Sequence, residues 1–314
     1  MRTIASIFGA LLIAFPATAA PAPERPSART NNFCIVGYLP DYRVAAFRQE
    51  QAAFLTDLIY FSIEPDDSGG LRRRETALAH LKTLQPLKQK NAGLRLLVCV
   101  GGWERSGAFA RMTASVESRH RFSNELTHFC LEAGIDGADL DWEHPVTAAE
   151  TQNFGLLISE LKQAFTPHHL QLTLAVAGWQ GLPAEAIRSA ERIHLMAYDA
   201  TGEHAPFTLA QTAVAQLEKL GAPPGKICLG VPFYGRRRTP PGDAMTYAEI
   251  VRNHHPAPDL DEVAGVSFNG LITIRRKTEF ARTKHLAGIM AWELGQDTLD
   301  AQSLLRAIFE SAPK

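Results

Sequence analysis

The chain has 314 residues, a formal net charge of −1 and an apolar content of 46%, which is ordinary for a globular protein. This near-neutral balance argues against nucleic acid or an anionic membrane surface as a partner, because both require a basic face. The length allows one large domain or two ordinary ones, with enough residues to bury a sizeable core.

The N-terminus has the pattern of a secretory signal peptide. A positive residue precedes an apolar run over 4–15, and "ATA" (17–19) supplies a small-residue cleavage site. A membrane anchor is the alternative, but the run is shorter than the roughly 20 residues that span a bilayer. We therefore predict a signal peptide over 1–19, a flexible leader over 20–32, and a secreted or periplasmic mature protein without a membrane partner.

Eight short apolar runs recur along the rest of the chain. Each is rich in Val, Ile, Leu and aromatic residues, which is typical of strands buried on both faces. The runs are 33–40, 57–65, 94–103, 134–145, 170–179, 192–199, 226–235 and 286–295. Amphipathic helical stretches lie between most of them, at 75–91, 118–134, 150–165, 208–221, 246–255 and 300–311, the second with Gly134 as its C-terminal cap.

Strands that alternate with helices predict parallel βαβ units, and eight such units predict a (β/α)8 TIM barrel. We expect this α/β barrel to form a single domain over 33–314. A doubly wound open sheet is the alternative, but the first strand is not followed by the glycine-rich phosphate turn that such sheets usually carry. No dinucleotide or P-loop fingerprint occurs, so no cofactor is predicted.

The four cysteines, Cys34, Cys99, Cys130 and Cys228, are widely spaced and include no CxxC pair. This spacing predicts no metal site. A secreted protein permits disulfides, but three of the four lie inside strand-like runs, which favours small buried apolar side chains. The sequence leaves any pairing undetermined.

One predicted strand is rich in acids. The stretch "DGADLDWEHP" (136–145) has four acidic side chains, and strand alternation places Asp139, Asp141 and Glu143 on one face. Active sites of such barrels lie at the C-terminal strand ends, so these acids are expected at the barrel mouth, where like charges raise at least one pKa. An ion-paired or solvated strand end is the alternative, but no Lys or Arg lies nearby in the sequence.

Paired carboxylates of unequal acidity are typical of glycoside hydrolysis, in which one carboxylic acid protonates the leaving oxygen. Aromatic residues at other strand ends suit the flat apolar faces of sugar rings. Residues two apart on a strand are separated by roughly 6.5 Å. That spacing alone would favour an inverting enzyme by the two-carboxylate rule.

The acidic stretch "DGADLDWE" resembles the DGxDxDxE signature of family 18 glycoside hydrolases, the chitinases and their relatives. "VCVGGW", "LMAYD", "GVPFYG" and "GIMAWELGQD" are similar to other strands of that family in the same order, and the resemblance spans 33–297. It implies a secreted chitinase that hydrolyses β-1,4 bonds between N-acetylglucosamine units of chitin or an oligosaccharide, with retention of configuration.

The resemblance also implies a role for each matching residue. Glu143 would be the general acid, and the substrate's own 2-acetamido carbonyl would act as the nucleophile. Asp141 would orient the acetamido group, Asp139 would tune Asp141, and the Tyr198 hydroxyl would hold the acetamido oxygen. Sugar contacts are expected from Trp292, Asp199, Tyr234 and Trp103, with Tyr38 and Phe61 lining the barrel below.

Three departures from the family pattern affect these expectations. Cys99 replaces the usual serine that hydrogen-bonds the inner aspartate, and a thiol is a weaker donor. His144 replaces the usual tyrosine and is either a pH-sensitive neighbour of the acid or a structural histidine. The segment 236–285 is too short for the full α+β insertion of many chitinases, so we expect a more open groove.

Three functions remain open at this point. The first is a chitinase, and the second is an endo-β-N-acetylglucosaminidase or peptidoglycan-directed hydrolase of the same family. The third is a catalytically inactive, chitinase-like sugar-binding protein. The acids and Tyr198 are all present, which favours activity, whereas Cys99 is the main argument against it. A monomer is the default expectation.

Overall fold

The computed structural model describes residues 33–238 and 244–313. Its eight barrel strands, named β1 to β8 in chain order, are Cys34–Pro40, Asp57–Pro65, Arg95–Gly101, Gly137–Asp141, Gln171–Ala177, Arg192–Met196, Ile227–Pro232 and Gly288–Trp292. Consecutive strands pair in parallel, and β1 closes the sheet by pairing with both β2 and β8. The predicted TIM barrel is confirmed. The predicted signal peptide and leader lie outside the described residues.

Ten α-helices, named α1 to α10, occur in the described parts of the chain. They are Arg74–Leu84, Pro86–Lys90, Phe109–Ala114, Val116–Ala133, Ala148–Phe165, Ala184–Ser189, Phe207–Lys219, Tyr247–His254, Leu271–Thr283 and Leu304–Ser311. All six predicted helical stretches are present, although the first is divided into α1 and α2 where Pro86 begins a new helix. None of the helices described is long and apolar enough to cross a membrane.

Two helix termini frame the acidic strand. Helix α4 ends at Gly134, which has a φ of 60° and confirms the predicted cap before β4. Helix α5 begins after Thr147, whose side chain accepts the Glu150 N–H while the Glu150 carboxylate accepts the Thr147 N–H. This capping box fixes the chain soon after it leaves the acidic segment.

The two faces of β4 meet different surroundings. On the outer face, Trp142 stacks on Phe109 of α3 with ring centroids 5.3 Å apart and meets Phe154 of α5 edge-on at 5.7 Å. These contacts belong to the large core between strands and helices. The inner face is therefore left to Asp139 and Asp141, as alternation predicts. All four cysteines are buried, as expected of small apolar side chains.

Gly137, the first residue of β4, allows the close approach of β5. A Cβ atom there would lie 2.1 Å from the Gln171 carbonyl oxygen, and the glycine φ is 152°. Only glycine fits such a contact. The resulting register sets Asp139 beside Cys99 on one side and Thr173 on the other.

A small antiparallel sheet lies between β7 and α9. Its strands, in spatial order, are Ala244–Thr246, Tyr234–Arg237, Val266–Ser267 and Glu262–Val263. The predicted run 226–235 is thus two strands in different sheets, because the chain leaves the barrel at Phe233. The small sheet is consistent with the absence of a full insertion domain, and it brings Tyr234 and Arg236 to the barrel mouth.

Candidate active site

A cavity of about 920 Å³ opens at the C-terminal ends of the barrel strands. Most of the predicted site residues line it: Phe61, Trp103, Asp141, Glu143, Tyr198, Asp199, Tyr234 and Trp292. Asp139 and Tyr38 are fully buried beneath it. The barrel therefore brings together side chains from seven of its eight strands or the loops that follow them.

Asp139 is held by three side chains from other strands. The Tyr38 hydroxyl donates to its Oδ2 at 2.6 Å, and the Thr173 hydroxyl donates to its Oδ1 at 2.5 Å. His194 Nδ1 lies 3.1 Å from the same Oδ1. Burial by itself would raise the pKa of Asp139, but these contacts outweigh it and lower the pKa below its ordinary value. Asp139 is the charged member of the acid row.

Asp141 has the opposite environment. Its Oδ1 is buried and has no hydrogen-bond partner among the described residues. Burial and the negative charges of Glu143 and Asp139 raise the pKa of Asp141 well above its ordinary value. A protonated Asp141 can donate a hydrogen bond to a group in the cavity.

Glu143 follows the end of β4 and projects into the cavity with 15% of its side chain exposed. Its backbone N–H donates to the Ser106 hydroxyl at 3.1 Å, which fixes the chain at this point. Burial and the charge of Asp199 raise the pKa of Glu143 to about 7, although the Trp103 backbone N–H opposes the shift. Glu143 is therefore protonated in mildly acidic solution and accessible to a ligand.

On the opposite wall, Asp199 has a positive φ of 63° and is held by several partners. The Tyr234 hydroxyl donates to it at 2.7 Å, Arg236 forms an ion pair with it, and His204 Nδ1 lies 3.3 Å from its carboxylate. Burial would raise the pKa of Asp199, but these contacts lower it. Next to it, burial raises the pKa of Tyr198 well above the usual value, so this phenol stays protonated.

Aromatic side chains form the floor and rim of the cavity. The Trp292 ring meets Phe61 at 4.6 Å and Tyr38 at 5.7 Å between centroids, which fixes its orientation. Trp103 and Trp179 are 70% and 67% exposed at the rim. Large exposed indole faces are costly unless a ligand covers them, and sugar rings suit this purpose.

Two side-chain contacts at this site were not predicted. His194 was missed, although alternation along "RIHLMAYD" places it on the same inner face as Met196 and Tyr198. Arg236 was not predicted to take part in the site, and it pairs with Asp199 on the cavity wall. Of the acids in the stretch 136–145, Asp136 pairs with Lys88 at 2.7 Å, whereas Asp139, Asp141 and Glu143 have no Lys or Arg ion-pair partner among the described residues.

No group of three or more His, Cys, Asp or Glu side chains within 33–238 and 244–313 is arranged to hold a metal ion. The chemistry available is one accessible acid, one buried protonated carboxyl group, one phenol donor and stacked aromatic rings.

An eight-stranded barrel with a row of acids at the end of its fourth strand and aromatic rings around it defines a glycoside hydrolase fold and site. Residues 34–297 match the model of the family described as glycosyl hydrolases family 18. The chain belongs to this family.

Several relatives are named as chitinases. The chain is 28% identical to probable chitinase 2 of Drosophila melanogaster, with 67% of this chain and 58% of that protein covered. It is also 28% identical to mouse (Mus musculus) chitotriosidase-1, covering 68% and 61% of the two chains. This chain thus spans about three fifths of the length of these relatives.

Solved structures agree with this fold. The GH18 chitinase ChiB from the chitin utilization locus of Flavobacterium johnsoniae matches with a TM-score of 0.80 and 28% identity, covering 89% of this chain and 93% of that one. A GH18 chitinase from Cycas revoluta, solved as a mutant with (GlcNAc)4, has a TM-score of 0.78 at 23% identity over 88% and 99% of the chains. The second likeness supports the fold alone.

Proposed function

We propose that the protein is a secreted chitinase that hydrolyses β-1,4 bonds between N-acetylglucosamine units by substrate-assisted, retaining catalysis. The relatives named as chitinases support the substrate class. The signal-peptide pattern over 1–19 supports secretion.

The observation that carries the mechanism is the state of the carboxyl groups around the cavity. Glu143 is accessible and has a pKa of about 7, which suits a general acid. Asp141 is buried with a raised pKa, and Asp199 is occupied by Tyr234 and Arg236. The resemblance to family 18 implies that the substrate's own acetamido group is the nucleophile, and the state of these two aspartates is consistent with that role.

Each remaining residue then has a physical role. The free Oδ1 of Asp141 accepts a hydrogen bond from the acetamido N–H and so holds the acetamido group against the anomeric carbon. The Tyr198 phenol donates to the acetamido oxygen, and Trp292 supports the reactive ring from below. Glu143 protonates the leaving oxygen and later takes a proton from the attacking water.

The cavity charge favours a neutral ligand over a charged one. Asp199 is offset by Arg236, and Asp141 is protonated, so the lining has little net charge in mildly acidic solution. A fully acetylated chitin chain is neutral, whereas peptidoglycan carries charged peptides. This charge balance favours chitin over peptidoglycan as the substrate.

The test is hydrolysis of chitotetraose by the purified mature protein and by Glu143→Gln, which has nearly the same shape but no acidic proton. We expect cleavage by the wild type, loss of cleavage in the variant, and a first-formed β-anomer by proton NMR. An α-anomer would exclude substrate assistance. Binding without cleavage by both proteins would instead indicate the sugar-binding alternative, and no binding would redirect the search to N-glycans or peptidoglycan.

A further inference from the structure

The imidazole of His144 is turned towards the catalytic acid. Its Nε2 lies 3.6 Å from Glu143 Oε2, and its side chain is only 18% exposed. The ring lines the same cavity as Glu143. An imidazole at this distance is close enough to influence the proton on the carboxyl group.

Two residues after β5 hold the ring in place. His144 Nδ1 lies 3.1 Å from Gln180 Oε1, and the edge of Trp179 meets the ring at 4.7 Å between centroids. Gln180 is 3% exposed, so its amide has little freedom. The ring therefore keeps Nε2 directed at Glu143.

The hydrogen bonds of Gln180 assign the tautomer. Its Oε1 accepts the Ala177 backbone N–H at 3.3 Å, and because a backbone N–H can only donate, the oxygen must be on this side of the amide. The group opposite an oxygen must donate, so His144 Nδ1 carries a hydrogen. In the neutral ring, Nε2 is then an acceptor facing Glu143.

The other charges near this pair are few. From the end of β5 the ring meets the uncharged Trp179 and Gln180. Across the cavity Asp141 and Asp199 contribute acidic groups, and Arg236 offsets Asp199. Within the described chain, Glu143 is the acidic group that lies within ion-pair distance of His144, at 3.6 Å.

We infer that His144 is a positioning residue that shares one proton with the Glu143 carboxyl group. The shared proton keeps Glu143 available as an acid to higher pH. With the proton on Glu143, the neutral Nε2 faces Oε2 as an acceptor at 3.6 Å and takes up a hydrogen bond when the carboxyl group turns towards it. With the proton on Nε2, the imidazolium pairs with the Glu143 carboxylate. During turnover, the O–H bond of Glu143 breaks as the leaving oxygen gains its proton, and water returns a proton to the pair, so no proton is consumed.

This inference deepens the proposed function and rests on it for its catalytic meaning, but the shared proton is measurable without any substrate. The first experiment is 15N NMR of the histidine rings in the wild type and in Glu143→Gln, with His144→Gln used to assign the signal. We expect the Nδ1–H tautomer for neutral His144, and a titration midpoint about one pH unit lower in Glu143→Gln, because the negative partner is gone. An Nε2–H tautomer or an unmoved midpoint would overturn the inference.

The second experiment is the pH profile of kcat/KM on chitotetraose for the wild type and His144→Gln. In the wild type the pair loses its last proton at a higher pH than an isolated Glu143 would. The basic limb of the kcat/KM profile should therefore lie about one pH unit lower in His144→Gln than in the wild type. His168→Gln, which changes an exposed histidine, should leave the profile unchanged. A lower rate with an unmoved limb would show a purely structural role for His144 and contradict the inference. If the His144 titration depends on Glu143 but the protein cleaves no chitotetraose, the proposed function is refuted. The shared proton is then still established.

Discussion

The Tyr38 hydroxyl, on the first strand, donates a hydrogen bond of 2.6 Å to Asp139 Oδ2 on the fourth strand, across the interior of the barrel. Asp139 and Asp141 are neighbours on one face of that strand, yet their pKa values move in opposite directions. Donors around Asp139 stabilise its charged form, whereas burial, the charge of Glu143 and then the charge of Asp139 raise the pKa of Asp141. The side chains below the cavity thus contribute to the difference in protonation between the two aspartates.

Replacing Tyr38 tests this division. In Tyr38→Phe, Asp139 loses a charge-assisted hydrogen bond, and we expect the free energy of unfolding to fall by about 1.5–3 kcal/mol. We also expect kcat to fall, because Asp139 then competes with Asp141 for the proton. Denaturant unfolding and chitotetraose kinetics measure both effects.

The matched control is Tyr60→Phe. Tyr60 is equally buried, and its hydroxyl contacts His80 at 3.1 Å, on the helix side of the sheet. It should lose about 1 kcal/mol of stability with kcat unchanged. An equal loss of kcat in both variants would contradict a specific role for Tyr38.

Cys99 offers a gain-of-function prediction. Its thiol is fully buried against Asp139, and burial together with the charges of Asp141 and Asp139 raises its pKa well above the ordinary value. A hydroxyl is a stronger donor than a thiol. Cys99→Ser should therefore lower the pKa of Asp139 further and raise kcat several-fold on chitotetraose.

Cys130→Ser is the control for that substitution. Cys130 is buried in α4, and burial alone raises its pKa. A serine there should cost stability, by about 1–3 kcal/mol for an unsatisfied hydroxyl, and leave kcat as it is. If Cys99→Ser lowers kcat, the thiol is the better partner for this acid row.

The pH dependence of activity follows from Glu143. A general acid works only while protonated, and the pKa of Glu143 is raised to about 7 by burial and Asp199. The value of kcat/KM should stay level up to neutral pH and then fall about tenfold per pH unit. A basic limb near the ordinary glutamate value of about 4.3 would show that another group is the acid.

Lys277 predicts a pH dependence of stability rather than of activity. It is buried in α9, and its Nζ donates to the Ala205 carbonyl at 2.8 Å and to Asn269 Oδ1 at 2.7 Å. Burial lowers its pKa to about 7, although Asp261 opposes the shift. The unfolded chain keeps the ordinary lysine pKa near 10.4 and so binds more protons between about pH 7 and 10.

Stability conferred by this site should therefore rise with pH across that window. Relative to Lys277→Met, the wild type should gain about 1.4 kcal/mol in free energy of unfolding per pH unit above 7. Urea titrations from pH 6 to 9 measure the difference. For Lys219→Met, which replaces an exposed lysine, the difference in free energy of unfolding from the wild type should not change with pH. A flat line for Lys277→Met as well would mean that the buried amine stays charged.

Local patterns in the sequence were enough to predict the barrel and the direction of its acids. Few folds other than a (β/α)8 barrel accommodate eight apolar strands with helices between them. Strand alternation alone places Asp139 and Asp141 on the inner face. The contact between His194 and Asp139 could not be predicted in this way. It depends on the stagger of β4 and β6 across a closed sheet, which no local pattern contains.

Other features were hidden because a polar residue occupies a buried position. Helix α9 buries Lys277 and Thr278 beside Leu271 and Ile274. These two polar residues interrupt the apolar stripe from which the helix would otherwise have been predicted. Arg236 stands in a run of three arginines and is 44% exposed, and the small sheet directs it towards Asp199. Tertiary pairing determines both environments.

Gly137 makes the acid row sensitive to errors of alignment. Every functional carboxyl group of β4 depends on a single choice of pairing with β5, which the contact between Gly137 and the Gln171 carbonyl sets. A slip by one residue would send the whole row to the helix side at once, since successive side chains point to opposite faces. A barrel in which β4 is misaligned by one residue therefore has all of these carboxyl groups displaced together. We expect such a barrel to be inactive rather than partly active.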